Sequence, residues 1–300
     1  MKQISSGKAV WTSFLVDFGD IVLNVVVMIV TGSVVMLAEA FEGLSDLVAS
    51  GLLLIGLGIA RRRPNKKHPF GYGKALFFWT LISAIVILVF GASLSIFFGV
   101  QRLLYPEEVE KIVWAFAALC ISIITNGYAL SLSSRRLLGK EKFTKLFRIF
   151  LSTTHVESKN TFILDFAGTF SAIVGLLSLS LYQLVGIQYF DAIGAILIGI
   201  LAAASSLLLI WGVKDYLIGK TASEDIEQSI KQAALKITEV DSIISLDTMY
   251  LGSEKLLVHL DIHLRHSVNN DSGEIVEKIK QSVQKAVPIV YSIQIETQAR

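Results

Sequence analysis

The chain has 300 residues, of which 53% are hydrophobic and only 17% are charged, with a mean hydropathy of +0.62. A soluble domain of ordinary composition has about 25% charged residues, so this composition excludes a typical soluble globular protein. The net charge of +2 favours neither an acidic nor a basic partner. The single cysteine, Cys120, excludes a disulfide framework and a thiolate metal cluster.

Long apolar segments indicate an integral, multi-pass membrane protein. A helix needs about 20 mainly apolar residues to cross the hydrocarbon core of a bilayer. The first segment, MKQISSGKAVWTSF, lacks the apolar core and cleavage site of a secretory signal, so we expect no cleaved leader. Six spans are predicted, over residues 11–31, 33–60, 75–104, 112–134, 161–185 and 190–213.

The basic residues of the connecting segments predict the orientation of these spans. RRRPNKKHPFGYGK, after the second span, has six Lys or Arg, and RRLLGKEKFTKLFRIFLSTTHVESK, after the fourth, has seven. The opposite connections, TGS, LYPEEVEK and LVGIQYFD, share one basic residue, Lys111. Because basic loops stay in the cytoplasm, both termini are predicted to be cytoplasmic. With no transit peptide visible, we expect a prokaryotic plasma membrane.

From residue 221 the pattern becomes that of a small α+β domain. SEDIEQSIKQAALKI and NNDSGEIVEKIKQSVQKAV have helical periodicity, whereas IISLDTMYL, EKLLVHLDIHLRH and IVYSIQIETQ are typical of strands. This αββαβ order can form a three-stranded sheet with two helices on one face. We therefore predict a six-helix membrane domain over 1–220 and a cytoplasmic domain over 221–300.

Three carboxylates interrupt the apolar segment MLAEAFEGLSDLVASG of the second span. Glu39, Glu42 and Asp46 have the spacing i, i+3, i+7, which places them on one helical face. An ionisable side chain in a span costs roughly 2.5–3.5 kcal/mol on insertion scales, and it usually faces the bundle interior at a functional site. The face therefore predicts a pathway for a charged species.

A matching polar stripe occurs on the first span at Asp17, Asp20 and Asn24. Asn24 lies eight residues before residue 32 in the TGS turn, and Glu39 lies seven after it. We therefore expect the two stripes to face each other and to form a cation path. A purely structural role, through hydrogen bonds to neighbouring helices or a position near the aqueous ends, stays open for Asp17, Asp20 and Glu39.

The fifth predicted span adds Asp165, one turn after Thr161. A site in the spans would consist of carboxylate, hydroxyl and amide oxygens, which suit hard or borderline divalent cations. Buried together, Glu42, Asp46 and Asp165 would repel one another without a cation or proton. The histidines all lie outside the predicted spans, at His68, His155, His259, His263 and His266.

Several segments, in the same order along the chain, carry a family resemblance. They are GSVVMLAEAFEGLSDLVASGLLLIGL, KKHPFGYGKALFFW, FFGVQRLLYPEE, YFDAIGAILIGILAA and LDTMYLGSEKLLVHLDIHL. Together they resemble the cation diffusion facilitator family of divalent-metal/proton antiporters. The segment HPFGYGK is the most specific of them. The resemblance covers nearly the whole chain.

The resemblance implies a homodimer in the lipid bilayer, with six helices and a ferredoxin-like cytoplasmic domain in each protomer. It also implies a tetrahedral metal site between spans two and five, at Glu42, Asp46, Thr161 and Asp165. Zn²⁺, exchanged for protons, is the implied cargo. Because none of the four positions is histidine, the all-oxygen site favours Mn²⁺ or Fe²⁺ as alternatives. We expect no organic cofactor, enzymatic activity or nucleic-acid partner.

A second group of metal-binding residue types lies in the predicted cytoplasmic domain. His259, Asp261 and His263 alternate on one face of a predicted strand and could form a regulatory metal site. The alternative is the solvated face of an antiparallel sheet. For the whole protein, the alternatives to an antiporter are a passive divalent-cation channel and a membrane metal sensor.

Overall fold

The computed structural model describes residues 6–139, 141–152, 156–265 and 272–299, with side chains described from residue 18 onward except at 151, 152, 272 and 299. It divides into two compact units. The first is formed by Met1–Ile55 with Trp79–Gly212, and the second by Gly56–Phe78 with Val213–Arg300. The boundary at residue 220 that the sequence suggests stays a prediction.

The predicted spans are helical, and several extend beyond their predicted ends. Within the described residues, five stretches are long and apolar enough to cross a membrane, and Phe18–Thr31 is a shorter apolar helix. This confirms the predicted polytopic helical fold. The helices up to residue 218 are α1 (Ser6–Thr31), α2 (Val34–Ala60), α3 (Ala75–Val86), α4 (Ser93–Leu104), α5 (Val113–Leu138), α6 (Leu146–Ser152), α7 (Val156–Val185) and α8 (Tyr189–Ile218).

The third span is not one regular helix. Between α3 and α4, residues Ile87–Ala92 form a π-helix. The Ser93 hydroxyl donates to the Leu88 carbonyl at 2.9 Å, which gives this carbonyl a side-chain partner. Gly91 lies against Ser45 of α2, where an added Cβ would be 3.0 Å from the Ser45 Oγ. The π-helical segment therefore passes next to the part of α2 that carries Glu42 and Asp46.

The turn between α1 and α2 is held by Asp191, from the first turn of α8. Its fully buried carboxylate accepts hydrogen bonds from the Ser33 hydroxyl at 2.6 Å and from the Val34 and Val35 amides at 2.9 and 3.1 Å. These amides begin α2 and have no partner within the helix. The positive end of the α2 dipole also favours a carboxylate there. Asp191 is thus an N-terminal cap supplied by another helix.

Arg102 of α4 joins the same group of residues. Its guanidinium donates to the Gly32 carbonyl at 2.6 Å and lies 3.9 Å from Asp191. The Glu110 amide donates to the Thr31 carbonyl at 2.9 Å. The 31–33 turn, the 105–112 connection and the start of α8 therefore meet at one end of the first unit, which we call the turn end. These are the connections that the sequence placed on one side of the membrane.

Small residues let the helices of this unit approach closely. An added Cβ at Gly194 of α8 would lie 2.6 Å from the Ser178 Oγ of α7. An added Cβ at Gly199 would lie 2.9 Å from the Ala92 carbonyl oxygen, at the end of the π-helical segment. Only glycine fits at such contacts, so the backbones of α7, α8 and the third span are packed directly together.

The second unit contains the predicted αββαβ domain, and its order is confirmed. β1 pairs with β2 in antiparallel fashion and β2 with β3 in parallel, so β2 is the central strand. Alternate residues of β2 are buried, as the sequence pattern predicted. The elements are α9 (Glu224–Leu235), β1 (Val240–Gly252), β2 (Lys255–Leu264), α10 (Ser272–Ala286) and β3 (Val290–Ala299).

We expect Asp191→Asn to destabilise the protein. The asparagine side chain carries no charge and cannot accept all three hydrogen bonds that Asp191 accepts. A buried donor left without its acceptor costs about 1–3 kcal/mol. The midpoint of heat unfolding in detergent should fall for Asp191→Asn. It should stay unchanged for Glu108→Gln, on the exposed 105–112 connection at the same end. Equal midpoints for the two variants would contradict the capping role.

Candidate metal site

The polar stripes of α1 and α2 are aligned by a close helix contact. An added Cβ at Gly43 would lie 3.1 Å from the Cγ1 of Ile21. Because the two helices run in opposite directions from the 31–33 turn, this contact brings residue 24 to the depth of residue 40. Asn24 and Glu39 are therefore at the same depth, as their spacing from the turn predicted.

Asp20 and Asn24 form a hydrogen-bonded group with α5. The Ser122 hydroxyl donates to Asp20 at 2.9 Å, and the Asn24 side-chain amide donates to the other Asp20 oxygen at 3.4 Å. Asn24 is 1% exposed and Glu39 5% exposed. The Oδ1 of Asn24 and the Oε1 of Glu39 accept no hydrogen bond from the described residues. Asp17 lies on α1, but its side chain is outside the described part of the chain.

Glu42 is a buried carboxylate of α2 that lies beside α7. It is 4% exposed, and neither of its oxygens accepts a hydrogen bond from the described residues. Ser171 of α7 lies beside it, but the Ser171 hydroxyl donates to the Ala167 carbonyl at 3.0 Å. A buried carboxylate without donors or a counter-charge is strongly unfavourable. This position therefore requires a cation or a proton.

Like charges surround the neighbouring Glu39. Asp20, Glu42 and Asp46 lie close enough to Glu39 to repel its charge. Within the described residues, however, no three His, Cys, Asp or Glu side chains are arranged to hold one metal ion. The acids of α1 and α2 are thus gathered in one region without forming a complete coordination shell of carboxylates.

The two predicted ligands on α7 are half-buried. The Thr161 hydroxyl donates to the Glu157 carbonyl of its own helix at 3.0 Å, so it has only lone pairs to offer a cation. The backbone carbonyl of Asp165 accepts a hydrogen bond from the Thr169 hydroxyl at 2.7 Å. Ser171, which lies beside Glu42, is six residues further along α7, and this corresponds to about 9 Å along the helix axis. Asp165 and Asp46 both remain predictions as ligands.

Sequence reasoning missed two amides in the spans. Asn160, next to Thr161, is 1% exposed, and neither polar atom of its side chain has a hydrogen-bond partner among the described residues. Asn126 of α5 packs against Gly168 of α7, where an added Cβ would lie 3.4 Å from its Oδ1. The signal that could have found them was an Asn inside an apolar helix, the same signal that singled out Asn24.

The candidate residues on β2 do share a face with side chains of β3. The Nε2 of His259 lies 3.8 Å from the Glu296 carboxylate, and the Gln298 amide donates to Asp261 at 3.2 Å. The Nδ1 of His263 is buried and has no hydrogen-bond partner among the described residues. We call His259, Asp261 and His263 the β2 strip. Its role as a metal site stays a prediction.

Comparison with known proteins decides the family. The model described as "Cation efflux transmembrane domain" matches residues 10–218, from α1 to the end of α8. The chain belongs to the cation efflux family. This family is the one called cation diffusion facilitators above, and it is a family of transporters rather than enzymes.

Relatives of this cation efflux protein include the mitochondrial proton-coupled zinc antiporter SLC30A9 of Homo sapiens, 24% identical over 97% of this chain and 52% of that protein. Metal tolerance protein C4 of Arabidopsis thaliana is 28% identical over 81% of this chain and 51% of that protein. The magnetosome protein MamB of Magnetospirillum gryphiswaldense is 25% identical over 96% and 92%. The chain spans about half the length of the first curated relatives that it matches.

Among solved structures, the copper form of a MamM CTD variant matches 26% of this chain and 96% of its own, with 24% identity and a TM-score of 0.24.

We expect Gly43→Leu to separate α1 from α2. The side chain would collide with Ile21, and overpacking of this kind costs about 1–3 kcal/mol. Gly51→Leu is the matched control on the same helix, because nothing lies within 4 Å of a Cβ added there. Heat unfolding in detergent should show a lower midpoint for Gly43→Leu alone. If both variants unfold like the wild type, α1 and α2 are not closely packed at Gly43.

Proposed function

We propose that this protein exports a divalent metal cation in exchange for protons, through a site built around Glu42, Asp46 and Asp165. The observation that carries the proposal is the setting of Glu42. Its carboxylate is buried in an apolar helix, and both oxygens lack hydrogen-bond donors among the described residues. Such a group is stable when a cation or a proton is bound to it, and alternation between the two is the chemistry of antiport.

The proposed cargo follows from the donor atoms. Glu42, Asp46, Thr161 and Asp165 would present oxygen alone. Carboxylates bind Zn²⁺ as well as harder cations such as Mn²⁺ and Fe²⁺. We favour Zn²⁺ because a relative at 24% identity is named a proton-coupled zinc antiporter. Mn²⁺ and Fe²⁺ are the alternatives that the absence of a histidine from these four positions supports.

Proton exchange follows from the same carboxylates. A carboxylate binds a metal only in its deprotonated form, so metal binding displaces protons and proton binding displaces the metal. In the proposed cycle the cation enters from the cytoplasm, the helices rock to expose the site outward, and protons replace the cation before the return. Asp20, Asn24 and Glu39 would line the path beside the site.

Orientation and assembly are part of the proposal. The basic connections after α2 and α5 favour a cytoplasmic location for both termini, and the direction of export follows from it. We propose a homodimer in a prokaryotic plasma membrane, with the α+β domain as its cytoplasmic, dimerising part. Within that domain the β2 strip would bind a regulatory metal ion, supported by the approach of Glu296 to His259.

The central test is uptake into proteoliposomes of Zn²⁺, Mn²⁺, Fe²⁺ or Cd²⁺ under an imposed pH gradient. We expect the wild type to take up at least one of these metals only when the gradient is present. Asp46→Asn should lose uptake, because the amide binds cations weakly and releases no proton. Glu108→Gln, on an exposed connection, should transport like the wild type.

Other results would identify the alternatives. Uptake that is indifferent to the gradient would indicate a passive channel. Binding without uptake of any metal would indicate a sensor. Normal transport by Asp46→Asn would refute the site itself.

Competition between protons and metal gives a second expectation. Because each bound proton occupies an oxygen that the metal needs, the affinity of the purified protein for Zn²⁺ should fall as the pH is lowered from 7.5 to 6. Equilibrium dialysis at several pH values would measure it. An affinity that does not change over this range would argue against proton exchange at carboxylates.

A further inference from the structure

The residues around Glu39 differ in position from those around Glu42. Glu42 lies beside Ser171 of α7. Glu39 is repelled by Glu42 and Asp46 of its own helix and also interacts electrostatically with Asp20 of α1. Asp20 in turn accepts a hydrogen bond from Ser122 of α5 at 2.9 Å. The two carboxylates of α2 are thus close enough to repel each other but have different neighbours on other helices, Ser171 of α7 for Glu42 and Asp20 of α1 for Glu39.

We propose that Asp20, Asn24, Glu39 and Ser122 form a second binding site for a divalent cation, separate from the site at Glu42, Asp46 and Asp165. The proposal rests on the function proposed above, since it concerns the same cargo. It assigns a discrete binding position to residues that would otherwise only line a path.

The side chain of Asn24 is the observation that points to a ligand. It is buried, and its Nδ2 donates to Asp20 at 3.4 Å. Its Oδ1 accepts no hydrogen bond from the described residues. A buried carbonyl oxygen without a donor is unfavourable, and so is the Glu39 Oε1 in the same condition. A bound cation would satisfy both oxygens at once.

The charge of the site needs compensation from outside the chain. Two carboxylates give it a charge of about −2 when both are ionised. The sequence has no Lys or Arg between Lys8 and Arg61, which covers α2 up to its last residue and most of α1, and none in α5 before Arg135. The charged groups that act on Glu39 are the carboxylates of Asp20, Glu42 and Asp46, all negative.

The donor set fits a divalent cation. Two carboxylates, an amide carbonyl and a hydroxyl are the oxygen ligands that hard and borderline cations take in proteins. The same set lacks the thiolate and thioether ligands that soft metals prefer. We therefore expect the second site to bind the same ion that the protein transports, next to the first site.

The test counts the metal ions bound to each protomer of the purified full-length protein by equilibrium dialysis with Zn²⁺ and with Mn²⁺. We expect Glu39→Gln to bind about one ion fewer than the wild type, because the amide removes charge and weakens coordination. Asn24→Leu should lose the same ion, since it keeps the size of the side chain and removes the oxygen. Asn24→Asp should retain the ion, because a carboxylate oxygen replaces the amide oxygen.

Asp46→Asn separates this proposal from the proposed function. It should lose a different ion, so that Glu39→Gln combined with Asp46→Asn binds about two fewer than the wild type. Ions held by the β2 strip are common to all variants and cancel in the comparison. If Glu39→Gln and Asn24→Leu bind as many ions as the wild type, the second site does not exist. If Asp46→Asn alone keeps the full count, the first site is wrong and the second stands.

Discussion

The cap that Asp191 supplies to α2 is the contact on which the arrangement of the acids depends. One buried carboxylate satisfies the first amides of α2 and fixes the hydroxyl of Ser33, while Arg102 holds the adjoining carbonyl of Gly32. These hydrogen bonds therefore join one end of α2 to the ends of α1, α4 and α8. Since α2 begins at a fixed point with a fixed rotation, the depth and direction of every later side chain on it are set.

The acids further along α2 destabilise the folded protein and favour cation binding for the same reason, which is their mutual repulsion. In an apolar helical bundle the carboxylates of Glu39 and Glu42 are buried, and Asp20, Glu42 and Asp46 repel the charge of Glu39. Hydrophobic and close backbone packing elsewhere in the bundle must offset this repulsion. A cation that enters relieves it, so binding free energy is available from the destabilised empty state.

Much of this architecture could be predicted from the sequence. Runs of apolar residues marked the spans, the TGS turn set the depth at which Asn24 meets Glu39, and period-two alternation marked β2. These features are local or depend on simple counting along a helix. Asp165, one turn after Thr161, stood out as an acid in the fifth span, and the family resemblance then implied that both are metal ligands.

The remaining features depend on contacts between distant segments. Asp191 is 158 residues from Ser33, so its sequence position gave no sign that it caps α2. Ser122 was one hydroxyl among several in α5, and only the folded chain brings it to Asp20. Asn160 was overlooked beside Thr161 because a one-residue step along a helix changes the direction of a side chain by about 100°, and packing alone decides which direction is buried.

The π-helical segment in the third span has a consequence for how this chain tolerates insertions and deletions. In an unbroken α-helix, the sixteen residues from Ser83 to Gly99 would turn these two positions about 160° apart. One residue absorbed by the wider turn reduces this to about 60°. Ser83 can therefore donate to the Ala49 carbonyl of α2 while Gly99 meets Ala192 of α8. Removal of a single residue between 87 and 92 would leave fifteen steps of a regular helix and the same angle of about 60°, so both halves would still meet their neighbours. A regular helix at the present length would turn one half away from its neighbour.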